Sequence, residues 1–457
     1  MNKEKLFLTD RLEKPTTDPF HSIDAHNFDL YQTLSENVDS GGRPTFKDIQ
    51  FIKLTDKYGR NVFRWTLAHY ITREKPDFPY KTWTDGQVIN KFQSLVTHDW
   101  TKWISKRSKE DVLEKYDDYK YSYKEYGLGV IDAPPSYNSI SDSFMNPLRL
   151  ACSSYGFKSP VERWNNGDNI WGVFGPVWRG INDTCDLNSI TYLGAFRLGT
   201  YIATQFKPTV AKAIYDMTDA KTVLDTSMGW GDRLTGFYTS KATHYIGCDP
   251  NPNTFKVYEK MIKFYDKLTG GKKTVDIYRC GAEDLWKEYE KRHGKKLENI
   301  DCAFTSPPYF STERYNEGGE HEEDQSWAKF NEYDKWRDDF YLPVNRNSFD
   351  SLSENGVLMV NILDPKIKGK RYRSGDELVD MLKDNFLGQV GMRIQQRSMG
   401  VAKFSKVDEN GKTVHDKEAM NDYMKKVYIE NVWCFSKDKT RDIFKHTKTA
   451  TLDEFFV

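Results

Sequence analysis

The residues Thr305 to Phe310 read Thr-Ser-Pro-Pro-Tyr-Phe and bring together a hydroxyl, a rigid turn and an aromatic ring. They follow Ile300-Asp-Cys-Ala-Phe304, a short apolar run that reads as a buried strand, which places the turn at that strand's C-terminal end. In an open α/β sheet, ligands bind at that end. The chemistry this composition suits is methyl transfer to the exocyclic amino group of a nucleobase. Such a nitrogen is a poor nucleophile because its lone pair is delocalised into the ring, so acceptors that hold its two N–H bonds draw it towards tetrahedral geometry. Ser306 and the carbonyl of Pro307 offer those acceptors, and Pro307 and Pro308 fix φ at about −65° without adding a competing N–H. Tyr309 offers a ring on which an extruded base stacks. Extrusion costs a few kcal/mol and stacking returns roughly 1–3 kcal/mol, so the ring matters. Read alone, the same residues are an ordinary turn with Tyr309 covering the core, and the upstream sequence decides between the two.

Upstream, Val223-Leu-Asp-Thr-Ser-Met-Gly-Trp-Gly-Asp-Arg233 reads as a strand, a glycine turn and a helix start. Gly229 and Gly231 let a backbone approach a ligand closely, and Asp225 at the strand tip suits an amine-bearing or cationic partner. Asp249 ends the next strand-like run, where a carboxylate suits two ribose hydroxyls. Glu283 and Asp284 follow the third run, where one of them suits an adenine amino group. Each acid alone reads as a helix N-cap; three at successive strand ends point to a nucleotide-like ligand.

The elements that must position these residues alternate from about residue 200. Strand-like runs are Thr222 to Asp225, Tyr245 to Cys248, Val275 to Tyr278, Ile300 to Phe304, Gly356 to Ile362, Val390 to Ile394 and Val432 to Phe435. Charge-rich helical segments such as Thr254 to Leu268, Ala282 to His293 and Ser374 to Asn385 separate them. This rhythm predicts an α/β fold with a mostly parallel sheet and helices on both faces. The first 190 or so residues lack it and read as a mainly helical accessory domain, with a loop-rich connection from about Pro134 to Ile190. Ala133-Pro-Pro-Ser-Tyr137 in that stretch follows no convincing strand and reads as a linker turn. The expected organisation is an accessory and target-recognition domain over 1–190, a Rossmann-like domain over 191–445 and a tail over 446–457.

The ordered set Asp225 to Gly231, Asp249, Glu283 or Asp284, and Ser306-Pro-Pro-Tyr309 resembles the S-adenosylmethionine-dependent amino methyltransferases that make N4-methylcytosine or N6-methyladenine, mostly in DNA. The resemblance covers roughly residues 200 to 440. It implies a Rossmann-like methyltransferase sheet, S-adenosylmethionine as cofactor and DNA as partner, with structured RNA as the alternative. It also implies that Phe206 and Pro208, in Phe206-Lys-Pro-Thr-Val-Ala211, pack around the methionine end of the cofactor. Asp225, Gly229 and Gly231 would line the methionine moiety, Asp249 the ribose, and Glu283 or Asp284 the adenine. Ser306, Pro307, Pro308 and Tyr309 would be catalytic, and Ser306 leans towards cytosine N4 by the family's habits. One departure is Ser227, which stands where the family usually carries an aromatic residue; Trp230 or Phe206 would then supply that packing. A non-catalytic cofactor-binding subunit and a Rossmann-type oxidoreductase are the competing readings. The intact Ser-Pro-Pro-Tyr element speaks against the first, and the second leaves it unexplained.

Sixty-seven basic and sixty-seven acidic residues cancel, so nucleic acid must be drawn by local patches rather than a global field. Lys366, Lys368, Lys370, Arg371 and Arg373 put five cations into eight residues after a strand, a composition suited to phosphates. Trp100 to Arg107 and Tyr116 to Tyr126 mix basic and aromatic residues in the same spirit. Glu313 to Asp324, rich in carboxylates, reads as a solvated flap that closes the site only if it orders on substrate binding. The six cysteines form no C-x-x-C pair, so no zinc site is expected and a reducing, cytoplasmic setting is. No apolar run approaches the roughly 20 residues of a membrane span.

Overall fold

The computed structural model describes residues 25–107, 112–114, 120, 128–154, 157–166, 185–199, 202–394, 404–409, 411–443, 445 and 448–449. Its strands are β1 (Ile104–Arg107), β2 (Val112–Glu114), β3 (Leu128–Ile131), β4 (Thr222–Asp225), β5 (His244–Cys248), β6 (Thr274–Tyr278), β7 (Ile300–Thr305), β8 (Leu352–Asn361), β9 (Lys366–Ile367), β10 (Lys370–Arg371), β11 (Phe386–Arg393), β12 (Ser405–Val407), β13 (Thr413–His415), β14 (Val427–Ser436) and β15 (Lys448–Thr449). One large sheet runs β15-β1-β3-β11-β14-β8-β7-β4-β5-β6, with β2 beside β14. β6, β5, β4, β7 and β8 are mutually parallel, and β14 lies antiparallel between β8 and β11. The chain therefore builds outward from β4 to β6, then returns across β4 to start β7 on its other side. That reversal makes the C-terminal ends of β4 and β7 the topological switch point, where an open α/β sheet binds its ligand.

The central strands β4, β5 and β7 are apolar runs because both their faces are covered. On one face, Phe304 meets Phe206 and Tyr215 at ring separations of 5.5 and 6.1 Å, and Tyr245 meets Phe237 at 5.2 Å. These rings belong to or adjoin the helices Pro208–Met217 and Asp232–Thr239. On the other face, Leu224, Ile246, Ala303, Leu358 and Val360 share a core with Leu285, Tyr289, Val344 and Leu378 from later helices. The expected Rossmann-like α/β class is thus the observed one.

Close-contact clustering divides the chain into two compact units, one of 1–83, 146–204 and 315–322, the other of 84–145, 205–314 and 323–457. The first is helical, with helices Ala25–Glu36, Asp48–Tyr58, Arg60–Glu74, Pro160–Asn166 and Ser189–Gly199 around Leu34, Phe63, Ile71 and Trp164. Trp164 is buried with its indole N–H on the Pro76 carbonyl, 2.6 Å away, so the ring packs without losing its polar handle. Residues 315–322 fold with this unit, the Asn316 N–H donating to the Ser153 carbonyl at 3.0 Å, rather than standing free as a solvated flap. Among the described residues no helix is long and apolar enough to cross a membrane.

The early part of the second unit differs from its sequence reading. Ala133-Pro-Pro-Ser-Tyr137 does follow a strand, β3, which runs parallel to β11 and so ends on the same sheet edge as β7 and β8. Among the described residues of Pro134 to Ile190 stand two helices, Ser139–Ala151 and, in the first unit, Pro160–Asn166. Trp100 and Trp103 are buried beside β1, which removes them as stacking platforms. The Tyr116 to Tyr126 stretch lies outside the described residues apart from Lys120.

Packing on the first sheet face turns on Gly236. A Cβ there would sit 2.5 Å from the Ala211 Cβ and 2.9 Å from both the Lys212 nitrogen and the Pro208 oxygen, so two helix backbones touch through the missing side chain. Gly236→Ala is expected to lower unfolding free energy by roughly 1–3 kcal/mol through overpacking. Denaturant titration of both proteins measures the difference.

Candidate active site

Asp225, at the end of β4, has no exposed surface, and its carboxylate is engaged by the protein's own groups. Arg233 Nε and the Tyr245 hydroxyl donate to Oδ2 at 2.9 and 2.6 Å, and the Ser227 N–H donates to Oδ1 at 3.1 Å. Asp225 therefore holds the glycine turn in shape, with Arg233 as its cation. The guanidinium also lies 5.4 Å from the Phe206 ring centre, which couples the Phe206-Lys-Pro segment to the turn. Gly229 and Gly231 carry φ of 57° and 75°, the left-handed region that glycine enters without strain. An added Cβ at Gly229 would meet the Ser227 carbonyl oxygen at 3.8 Å, an ordinary van der Waals contact.

The Pro-Pro loop after β3 clamps the same segment. Lys207 Nζ donates to the carbonyls of Ala133 and Arg393 at 3.2 and 2.8 Å, and Thr209 Oγ1 donates to that of Pro134 at 3.1 Å. Pro208 is buried at the first position of its helix, where its missing N–H costs nothing.

Asp249 follows β5 and takes four hydrogen bonds. Asn251 N and Thr254 Oγ1 donate to Oδ1 at 3.0 and 3.1 Å, while Gly229 N and the Tyr258 hydroxyl both donate to Oδ2 at 3.1 Å. Burial pushes its carboxyl above the usual range, against these donors. Both hydroxyls have a second acceptor already in place: Thr254 Oγ1 lies 3.0 Å from the Asn251 carbonyl, and the Tyr258 hydroxyl touches the Gly229 carbonyl. Each can turn to that carbonyl and free one lone pair on each Asp249 oxygen. Beyond β6, Glu283 is paired with Lys329 while Asp284 is exposed.

Thr226 Oγ1 donates to Thr305 Oγ1 at 3.1 Å, so the glycine turn and the Ser-Pro-Pro-Tyr turn are stitched together at the switch point. Ser306 Oγ and the Tyr309 hydroxyl both lie on Asn361 Oδ1, at 3.2 and 3.0 Å, and on each other at 3.4 Å. Tyr309 is half-buried rather than exposed, and burial, then the carboxylates of Glu430 and Glu313, raises its phenol well above the usual range. Among the described residues the Pro307 carbonyl takes no hydrogen bond, while that of Pro308 accepts the Phe310 N–H at 2.8 Å. Phe310 adopts φ 48°, which costs a bulky residue roughly 1–2 kcal/mol. Its buried ring, against Tyr333 and Trp336 at 5.7 Å each, holds it there. Asn361 escaped the sequence reading because a single Asn at the end of an apolar strand has no motif around it.

The basic stretch is a β9–β10 hairpin turned by Lys368 and Gly369 at φ 48° and 85°, the paired positive φ of a two-residue hairpin. Lys366, Lys368 and Lys370 are exposed, whereas Arg371 and Arg373 are partly buried. Arg373 Nη1 lies 3.4 Å from Asp364, so it braces the hairpin and is a poorer candidate for phosphate. Tyr372 stacks on Tyr333 at 4.0 Å with Lys370 Nζ 4.6 Å above its ring. Phe310, Tyr333 and Tyr372 thus run from the Ser-Pro-Pro-Tyr turn to the hairpin.

No family model matches this chain, and no curated protein does. Among solved structures it is similar to a SAM-dependent methyltransferase from Agrobacterium tumefaciens, at 13% identity and a TM-score of 0.32 over 52% of this chain and 65% of that one. It is similar to TrmN from Thermus thermophilus at 14% identity and 0.27, over 50% and 48%, so it spans about half of that structure's length. It is also similar to an O-methyltransferase from Bacillus cereus in complex with SAH, at 10% identity and 0.28 over 51% and 83%. Strand order, not these likenesses, carries the fold assignment.

Two buried acids give measurable outcomes. Arg233→Leu leaves Asp225 charged and without its cation, and is expected to cost roughly 3–5 kcal/mol of stability by denaturant titration. Asp364 is pushed up to about 6 by burial, against the Gly375 N–H and Arg373. A folded pKa above the unfolded one means stability that is present in acid and lost as pH rises through about 6. Relative to Asp364→Asn, wild type should therefore lose stability, by up to about 3 kcal/mol, between about pH 4 and 8. Paired thermal melts across that range check the sign.

Proposed function

We propose that this chain transfers a methyl group from S-adenosylmethionine to the exocyclic amino group of a flipped-out DNA base, with cytosine N4 favoured over adenine N6. The observation that carries the reading is the meeting of the glycine turn and the Ser-Pro-Pro-Tyr turn at the switch point, joined by Thr226 and Thr305. Of the two turns, the first suits a nucleotide-like cofactor and the second an amino group.

The residues fit the cofactor. When bound, it supplies a methyl group made electrophilic by a sulfonium. Asp249, with two hydroxyls able to turn aside, suits a cis-diol. Gly229 keeps the turn's backbone free of a side chain, Gly231 shapes the turn's exit into the helix, and Phe206 and Pro208 would close the methionine end. Asp225 supports that end through the turn it holds. Of the adenine candidates, exposed Asp284 is ready to accept, and Glu283 would first give up Lys329.

On the substrate side, Ser306 Oγ and the unbonded Pro307 carbonyl stand ready to accept the two N–H bonds of an amino group. Pro307 and Pro308 keep that carbonyl fixed. Tyr309, half-buried at the turn, would offer its ring for the extruded base to stack on. Since the transfer needs alignment more than a proton acceptor, a turn without an ionised base suffices. Lys366, Lys368 and Lys370 would hold phosphates near the turn, with Arg371 and Arg373 at the base of the same hairpin.

The test is incubation with labelled S-adenosylmethionine and duplex DNA, single-stranded DNA or RNA, followed by nucleoside mass spectrometry. Label in N4-methylcytosine is the expected result; label confined to RNA would move the substrate, and no label with cofactor bound would sink the reading. Ser306→Ala should lower kcat on the order of tenfold to a hundredfold, the cost of one acceptor in the transition state, with cofactor Kd unchanged by calorimetry.

A further inference from the structure

We infer that Asn361 is a positioning residue that turns Ser306 into a pure hydrogen-bond acceptor towards the substrate, an inference that rests on the methyl-transfer reading. Asn361 ends β8 and is 1% exposed. Its Nδ2 donates to the Asn431 carbonyl at 3.1 Å, on the neighbouring strand β14. A backbone carbonyl only accepts, so this contact fixes which end of the amide is which. Oδ1 must then face Ser306 Oγ and the Tyr309 hydroxyl, at 3.2 and 3.0 Å.

An amide oxygen has two lone pairs, and here two hydroxyls fill them. Each hydroxyl owns a single proton, and Asn361 Oδ1 takes both. Ser306 Oγ then has only lone pairs left to offer, so an approaching amino group meets an acceptor and never a competing O–H. Without Asn361, the Ser306 proton rotates freely, and in part of the ensemble it points at the nitrogen that must attack. Tyr309 is a poorer substitute for the amide, because its phenol oxygen lies 3.4 Å from Ser306 against 3.2 Å for the amide oxygen and rotates with its own proton. The three groups come from the end of β8 and the turn after β7, adjacent parallel strands, so the arrangement is built into the sheet.

The amide can be imitated by a carboxylic acid but not by a carboxylate. In Asn361→Asp, the protonated acid would donate to the Asn431 carbonyl and accept both hydroxyl protons with its other oxygen, matching the amide atom for atom. Once ionised, it would turn a lone pair on the Asn431 carbonyl. Burial raises such a carboxyl, so the change falls within an accessible pH range.

The experiment measures kcat and substrate KM for wild type, Asn361→Ala and Asn361→Asp between about pH 6 and 9. Cofactor Kd and melting temperature are followed alongside. Asn361→Ala should lose kcat on the order of tenfold or more, with cofactor Kd unchanged. Asn361→Asp should approach wild-type kcat at the acid end and fall away as pH rises, while its melting temperature drops relative to wild type over the same interval. A wild-type-like kcat for Asn361→Ala, or a constant activity ratio between Asn361→Asp and wild type across pH, overturns the inference while leaving methyl transfer intact. If Asn361→Ala does not fold, the pH profile of Asn361→Asp alone decides. A wild-type protein that transfers no methyl group overturns the underlying reading, and this inference with it.

Discussion

A single buried charge organises the site. Asp225 has no exposed surface, and an ionised carboxylate at such depth is tolerable only with a cation and further donors around it. Arg233 supplies the cation from eight residues on, which forces the chain between them to turn sharply enough to bring both together. That turn is the glycine loop, and Tyr245 and the Ser227 N–H complete the shell. Arg233 also faces Phe206, and Phe206 faces Phe304 on β7, two residues before Ser306. The constraint at Asp225 therefore reaches three separate segments: the helix entry at Pro208, the glycine loop, and the strand that ends in the Ser-Pro-Pro-Tyr turn.

Much of this was legible because it is local. The seven strand-like runs after residue 200 match strands to within a few residues, since strands with buried faces, β4, β5, β7, β8, β11 and β14 above all, read as apolar runs whatever lies beside them. The acids at strand ends and the prolines behind β7 were visible for the same reason. What the sequence hid is pairing between distant segments. Asp225 suggested an exposed acceptor because nothing local says that Arg233 folds back onto it. β1 and β3 are four residues each among polar and aromatic neighbours, too short for a periodicity to stand out, and only the β11 edge reveals them as strands. Asn361 looked like any polar residue ending a strand; its role exists only once β7, β8 and β14 lie side by side.

The neutral overall charge is compatible with nucleic acid because the cations are placed rather than numerous. The β9–β10 hairpin leaves β8 on the ligand edge, and its two-residue turn holds Lys368 at the tip. An aromatic series, Phe310 to Tyr333 to Tyr372, fixes the hairpin's base against the Ser-Pro-Pro-Tyr turn. Side chains held by stacked rings and by the Asp364–Arg373 pair lose less entropy on meeting a phosphate than lysines on a free loop would. The strained φ of Phe310 belongs to the same arrangement, since from that backbone conformation its ring packs against Tyr333.

The two acceptors that matter most share a design. Asp249 is fully hydrogen-bonded within the protein and Ser306 has its one proton committed, and on the proposed reading each serves a ligand without leaving a buried group unpaired. At Asp249 the donors Thr254 and Tyr258 have second acceptors within reach, so hydroxyl rotation frees a lone pair at almost no cost. At Ser306 the proton is committed to Asn361, so the lone pairs were never in use. An unsatisfied buried acceptor would cost roughly 1–3 kcal/mol in the empty protein, and a loose one would pay orientation entropy on binding. Rotatable hydroxyls at one site and a fixed amide at the other avoid both, which is what preorganisation requires of a site that must stand stable before its ligands arrive.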